Sequence, residues 1–437
     1  CRFACKELFG IMNTIDNLLN FLNLSPVNFL AVDTLETILQ QKGFKKLDAG
    51  EKWPTFSAGD CYYITKNDSS LYAFRVGKKP TEEVGFKLIC AHCDSPTFRI
   101  KPCGEMISEG GIVRLNTEVY GGPILSTWFD RPLSIAGRVI LRSEDILHPK
   151  TALLHVKRPL LTIPNLAIHF NRQVNDGVKL SKQKDMLPIM GMINNQLESG
   201  SVLVNIISKE LNVKPEEILD FDLYLYDTTP ACLVGLHEEL ISAGRLDDLS
   251  MVHAALEAML AANTSDETQV MAIFDNEETG SGTKQGAASP VLRNMLKRIA
   301  GSGENFYRAV EHSFMISADN AHGFHPNYGE KYDPTNHPLM GGGPVVKFNA
   351  SQKYSSDADS AAVFSAICKQ AGVPCQTFVN HSDVAGGSTL GNILTSQIPL
   401  RGVDMGNPIW AMHSVRETSS VADHIYCIRA FTEFYNA

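Results

Sequence analysis

Five apolar residues, Val270 to Phe274, run without a break into Asp275-Asn276-Glu277-Glu278-Thr279-Gly280-Ser281-Gly282. That junction restricts the folds open to this chain more than any other stretch. The apolar run reads as a buried strand, and acids followed by glycines place a sharp loop at its carboxyl end. In an open α/β sheet such ends face the crevice where ligands bind. Adjacent glutamates there repel each other and lose hydration, so a cation or a shared proton has to compensate. A solvated loop or a helix N-terminus would also accommodate them. For an isolated Glu-Glu pair that plainer account would prevail.

The surrounding pattern supports the crevice. Phe86 to Ala91, Ser313 to Ser317, Pro344 to Phe348, Gln376 to Val379 and Leu400 to Asp404 read as further buried strands. A hairpin is expected from Cys61 to Lys66 and Leu71 to Val76, turning at Asn67-Asp68-Ser69. Helical spacing occupies 11–24, 27–43 and stretches near 249–262, 286–299, 356–371, 387–396 and 419–435. This alternation predicts an α/β fold, a mostly parallel sheet covered by helices on both faces. Between 96 and 239 the character changes to short alternating segments broken by Gly and Pro, with one helical stretch near 192–211. The expected organisation is a split catalytic domain, 1–95 plus 240–437, interrupted by a β-rich insert, 96–239.

Composition narrows the partners. A net charge of −9 over 437 residues argues against nucleic acid and anionic membrane. No apolar run reaches the roughly 20 residues of a membrane span. The first residues lack the order of a signal peptide, and the chain opens with Cys1 rather than Met, which suits a processed or trimmed start. Ten cysteines without a disulfide framework fit a reducing cytoplasm. The single Cys90-Ala91-His92-Cys93 is a weak redox or zinc motif, since it ends a strand and has no second copy.

Five metal-ligand side chains fall where predicted strands end or loops begin: His92, Asp247, Glu278, Asp319 and His413. Two imidazoles and three carboxylates, with no thiolate, suit Zn²⁺, Mn²⁺ or Co²⁺. Five donors exceed the three of one catalytic zinc. A carboxylate bridging two ions roughly 3.5–4 Å apart accounts for the excess. Each residue alone has an ordinary explanation, as a core histidine, a helix cap or a turn residue. Their joint placement around one crevice is the stronger account.

Longer motifs carry a family resemblance. Ala91-His92-x-Asp94-Ser95-Pro96, Arg245-Leu246-Asp247, Asp275-x-Glu277-Glu278-x-Gly280-Ser281, Ser317-Ala318-Asp319-x-Ala321-His322-x-x-His325-Pro326-Asn327-Tyr328 and Met412-His413-Ser414-x-Arg416-Glu417 resemble the M18 metallopeptidases, the aspartyl aminopeptidases. In the insert, Thr127-Trp128-Phe129-Asp130-Arg131 and Asn165-Leu166-Ala167-Ile168-His169 are similar to family segments. The resemblance implies that His92 and Asp319 hold one metal, Glu278 and His413 the other, and Asp247 both. It implies Glu277 as general base and Asp94 as the carboxylate orienting His92. It further implies Lys347 and His322 in the substrate pocket, and His169 reaching a neighbouring subunit's site. The activity implied is removal of N-terminal Asp or Glu from peptides, with two divalent ions per subunit, Zn before Mn or Co. The insert would pair subunits in a tetrahedral dodecamer.

Two departures stand out: Cys93 between His92 and Asp94, and His381-Ser382-Asp383-Val384-Ala385-Gly386-Gly387-Ser388-Thr389 in place of the family's Pro-Cys version. Alternatives are a neutral-residue aminopeptidase, a di-zinc deacylase or carboxypeptidase, and a self-assembling scaffold without activity.

Overall fold

Strand Phe86–His92 lies between Thr268–Phe274 and Phe314–Ala318, parallel to both, and every residue of the three is buried. Strands covered on both faces need apolar side chains at every position, which is why they read as unbroken hydrophobic runs. The computed structural model describes residues 2–193, 201–301 and 303–437. It separates into two compact units. The first comprises Cys1–Asp94, Ala231–Met412 and Glu417–Ala437, and the second Ser95–Pro230 and His413–Arg416.

In the first unit nine strands follow the order Lys45–Lys46, Cys61–Lys66, Ser70–Arg75, Thr268–Phe274, Phe86–His92, Phe314–Ala318, Arg401–Gly406, Val345–Phe348 and Gln376–Val379. Five of the eight pairings are parallel, so the sheet is mostly parallel with antiparallel exceptions. Side chains alternate between faces as strand geometry requires. Ile89, Ala91, Met271 and Ile273 enter one core beneath helices Asn28–Gln41, Leu246–Ala261, Ala358–Ala371 and Val421–Asn436. Leu88, Cys90, Val270, Ala272 and Phe274 enter the other, beneath Val291–Ala300, Glu304–Glu311 and Leu390–Gln397. A small sheet of Cys232–Val234, Leu240–Ala243, Glu417–Ser420, Pro408–Trp410 and Ala321–His322 completes the unit.

The second unit is built on six antiparallel strands, ordered Lys150–His155, Leu133–Leu141, Ile218–Asp227, Thr97–Ser108, Ile112–Tyr120 and Ile189–Met192. Helix Val202–Leu211 buries Leu203 and Ile207 in the same core as Phe98, Leu115 and Ile135. The helix expected near 192–211 thus begins at Val202, after Ser201 caps it by accepting the Val204 N–H at 3.1 Å. Residues 194–200 of that expectation lie outside the described residues. The helix expected from 286 begins instead at Val291. Pro290, which has no N–H to give, sits at its N-cap, and Gly286 packs so tightly that a Cβ there would lie 2.3 Å from Ser281 O.

Candidate metal centre

Strand register performs the first step of assembly. Phe274 pairs with His92, and Cys90 with Ser317. His92 therefore sits level with Asp319, and the Asp275–Glu278 loop leaves the same sheet edge. Gly406 permits Asp319 its position, since a Cβ there would lie 1.8 Å from Asp319 O. Asp247 arrives at the start of Leu246–Ala261, where the backbone is not yet helical: Arg245 has φ 60° and Asp247 has φ −80°, ψ 106°. Arg245 is held there by donating to Ser25 O and Leu22 O, each at 3.2 Å.

The acidic loop is shaped by Asn276, whose φ of 60° is tolerated by Asn better than by most side chains. Its Oδ1 accepts from Thr283 Oγ1 at 2.8 Å and Gln285 Nε2 at 2.7 Å. The turn that follows aims the N–H groups of Glu277 and Glu278 at Asp94 Oδ1 and Oδ2, each at 3.1 Å. Asp94 also meets His92: Nδ1 lies 3.3 Å from Asp94 Oδ1 and 3.1 Å from Asp94 O. With Nδ1 so engaged, Nε2 is the nitrogen turned to the acids.

Around Nε2 stand Asp247 Oδ1 at 3.5 Å, Asp319 Oδ1 at 3.8 Å and Glu277 Oε2 at 3.9 Å. These separations exceed a hydrogen bond. They approach the roughly 3.3 Å between two ligands of a tetrahedral ion with 2.0–2.1 Å bonds. Donor atoms of His92, Asp247, Asp248 and Asp319 lie within 4.8 Å of one another, as do those of His92, Glu277 and Glu278, and Asp247 has a donor within the same distance of Glu278. Nitrogen and carboxylate donors at this density, mostly buried, fit a divalent cation of the zinc type. No cysteine enters these groups among the described residues. Cys93 points its thiol to Ser69 O at 3.2 Å.

Charge crowding sets the protonation states. Burial pushes the Glu277 carboxyl up to about 9, with Asp319, Glu278 and Asp94 adding to the rise and His92 opposing it. Burial also raises Asp248, while it works against the imidazolium of His92, whose acidic neighbours more than reverse that and leave it raised. Asp319 goes the other way: burial alone would raise it, but Lys347 and His92 hold it well below the usual carboxylate range.

Lys347 is 3% exposed, with Nζ 3.4 Å from Asp319 Oδ2 and donating to Asn320 O at 3.3 Å. Burial disfavours its charge, yet Asp319, Tyr354 and Asp404 keep the ammonium raised above its ordinary value. His322 lies exposed on the two-residue strand Ala321–His322, three residues past Asp319, and packs edge-on against Phe378 at 5.8 Å. In the second unit, His413 has φ 69° and its Nδ1 is 3.1 Å from Gly122 O. His169 stands exposed on the turn Ile168–Phe170 of that unit. The loop before it is tied to Asp130, which accepts Asn165 N at 2.9 Å and Asn165 Nδ2 at 2.8 Å.

Several supporting roles were not read from sequence. Asp248 Oδ2 accepts the His92 N–H at 3.1 Å, and Glu417 Oε2 accepts that of Asp247 at 3.0 Å. Asn28 Nδ2 donates to both oxygens of Asp275 at 3.0 Å. Asp248 follows the proposed ligand Asp247, and Glu417 closes the Met412–Glu417 motif without a role read for it. Adjacency to Asp247 was the signal available for Asp248, and membership of the motif the signal for Glu417.

Comparison with known proteins identifies the family. The family model described as aminopeptidase I zinc metalloprotease (M18) matches residues 21–435. A probable M18 family aminopeptidase 2 of Clostridium novyi is 52% identical over 425 residues, 96% of this chain and 98% of that protein. The protein of the same description from Clostridium acetobutylicum is 51% identical, covering 96% of this chain and 98% of its own length. Among solved structures, a chain in the cryo-EM structure of the Ape4 and Nbr1 complex superposes with a TM-score of 0.94 at 35% identity, over 98% of this chain and 86% of that one. The chain belongs to the M18 aminopeptidase family and is a metallo-aminopeptidase.

Proposed function

We propose that this aminopeptidase releases Asp or Glu from the N-terminus of peptides, using two divalent ions per subunit, zinc before manganese or cobalt. The observation that carries the reading is the meeting of His92, Asp247, Glu277, Glu278 and Asp319 at one sheet edge with a buried lysine, Lys347, behind Asp319. His92 and Asp319 would hold one ion, Glu278 and His413 the other, and Asp247 both. When bound, the ions supply Lewis acidity toward the scissile carbonyl and the attacking water. Glu277 takes the proton from that water and delivers it to the leaving amine. Its tendency to hold a proton suits the delivery, and nearby cations favour the ionised form needed for the uptake. Asp94 keeps His92 and the Glu277–Glu278 turn in place. Lys347 and His322 supply positive charge toward an acidic side chain.

The second unit is proposed to pair subunits, in a homo-oligomer of tetrahedral, dodecameric form with His169 reaching a neighbour. Leu166, Ile168 and Phe170, exposed to 60%, 52% and 81%, flank His169 and favour such a contact. Among the described residues no helix is long and apolar enough to cross a membrane. A cytoplasmic location is part of the same reading and rests on the free thiols of the described cysteines.

The test is release of product from Asp-, Glu- and Leu-anilides, with and without chelator. Chelator-sensitive cleavage favouring Asp and Glu by at least about tenfold, the worth of one charged hydrogen bond, is expected. Preference for Leu would keep the metal chemistry and reject the acidic pocket.

A further inference from the structure

Lys347 cannot by itself give strong selectivity for an acidic side chain, because its charge is already balanced by Asp319 at 3.4 Å. More positive charge lies close by. A cavity of about 360 Å³ opens beside His322 and is lined also by His325, Lys331, Asn380 and His381. Among the described residues no carboxylate lines it, although the chain as a whole carries a net charge of −9.

Backbone contacts favour the histidines as donors, and the carboxylate of the exposed Asp383 stands 3.9 Å from His381 Nδ1. His325 Nδ1 accepts the Asn327 N–H at 3.2 Å, and His381 Nδ1 accepts the Asp383 N–H at 3.2 Å. A neutral ring with Nδ1 accepting carries its proton on Nε2. Two Nε2–H groups and the Lys331 ammonium are then donors around one space, with His322 at its edge. Asn380 Oδ1 is buried and has no hydrogen-bond partner among the described residues, which leaves an acceptor for a peptide N–H. The two loops that form the cavity are joined by the bridge Tyr332↔Asn380.

Two wall residues tie the cavity to the neighbourhood of the metal-ligand cluster. His322 is three residues from Asp319, a span of at most about 11 Å. Phe378, another wall residue, pairs in register with Lys347.

We infer that this cavity is an anion subsite that holds a carboxylate of the peptide substrate through Lys331, His325 and His381. The inference rests on the aminopeptidase reading and assigns its acidic specificity to residues beyond Lys347. The carboxylate belongs to either the first or the second residue of the peptide, and the chemistry of the cavity is the same for both.

The experiment compares the metal-loaded full chain with Lys331→Met and His381→Ala on Asp-Ala, Ala-Asp and Ala-Ala amides. The variants should lose about tenfold in kcat/KM, through KM, on the peptide whose carboxylate enters the cavity, and less on Ala-Ala amide. Loss on Asp-Ala assigns the first residue, and loss on Ala-Asp the second. An equal change on all three peptides, or none, overturns the subsite. Calorimetric titration with L-aspartate and L-asparagine separates this from the underlying reading, because it needs no turnover. Tighter binding of aspartate by the wild type, lost in the variants, supports the subsite even if no peptide is cleaved. Identical aspartate binding by wild type and variants overturns a first-residue carboxylate, and together with unchanged turnover of Ala-Asp amide it overturns the subsite.

Discussion

Asp94 accepts the backbone N–H of Glu277 at 3.1 Å while its other contacts orient His92, so one carboxylate couples a metal-ligand candidate to the proposed base. Replacing Asp94 by Ala should free both partners at once. Metal affinity is expected to fall about 10- to 100-fold, as when an outer partner of a ligating histidine is lost. Metal titration of the variant checks this. Wild-type affinity with normal kcat would separate Asp94 from the site.

Glu277→Gln keeps the backbone N–H that Asp94 accepts, so the turn should persist. Proton transfer would be lost, and kcat should fall about 10²- to 10⁴-fold with bound metal unchanged. Parallel turnover and elemental analysis distinguish this from a folding defect. A variant retaining full kcat would require another base.

Lys347→Met would leave the mostly buried Asp319 with His92 as its remaining cationic neighbour. Removing one member of a buried pair typically destabilises a fold by about 3–5 kcal/mol, more than an exposed pair contributes. Denaturant unfolding of the metal-free chain should show a loss of this order. A loss under about 1 kcal/mol would mean that water, rather than Lys347, compensates Asp319.

His253 Nδ1 lies 3.0 Å from His424 Nε2, both rings buried between helices Leu246–Ala261 and Val421–Asn436. Burial pushes His424 down to about 3, and burial together with the charge of His424 lowers His253. Below about pH 6.5 the unfolded chain takes up protons that the folded pair refuses. Their contribution to stability is therefore complete above that pH and is lost as the pH falls toward 3. Each ring adds a slope of about 1.4 kcal/mol per pH unit within the window. His424→Gln should flatten the acid limb by one such increment in unfolding measured between pH 4 and 6. An unchanged slope would mean that the pair is charged in the folded state.

Much of the central architecture was legible because buried parallel strands leave continuous apolar runs. The runs ending at His92, Phe274 and Ser317 carry their polar residues to the same edge once the register is known. The register itself was not legible, nor was the five-stranded small sheet. Its segments Ala321–His322 and Pro408–Trp410 are too short to show a period of two. The roles of Asp248 and Glu417 escaped notice because each acts by accepting one backbone N–H, which leaves no spacing pattern. The Lys347–Asp319 pair joins residues 28 positions apart and depends on how the strand Val345–Phe348 is placed. The resemblance placed Lys347 in the substrate pocket, and nothing in the spacing tied it to Asp319.

The central claim is that His92, Asp247, Glu278, Asp319 and His413 hold two catalytic ions. The most direct measurement is metal content by elemental analysis alongside peptide release, as chelated protein is titrated with zinc. Two ions per subunit, with activity absent at zero and restored as the sites fill, is the predicted result. Undiminished activity in fully stripped protein, or stoichiometric binding that survives His92→Ala together with Asp247→Ala, would contradict it.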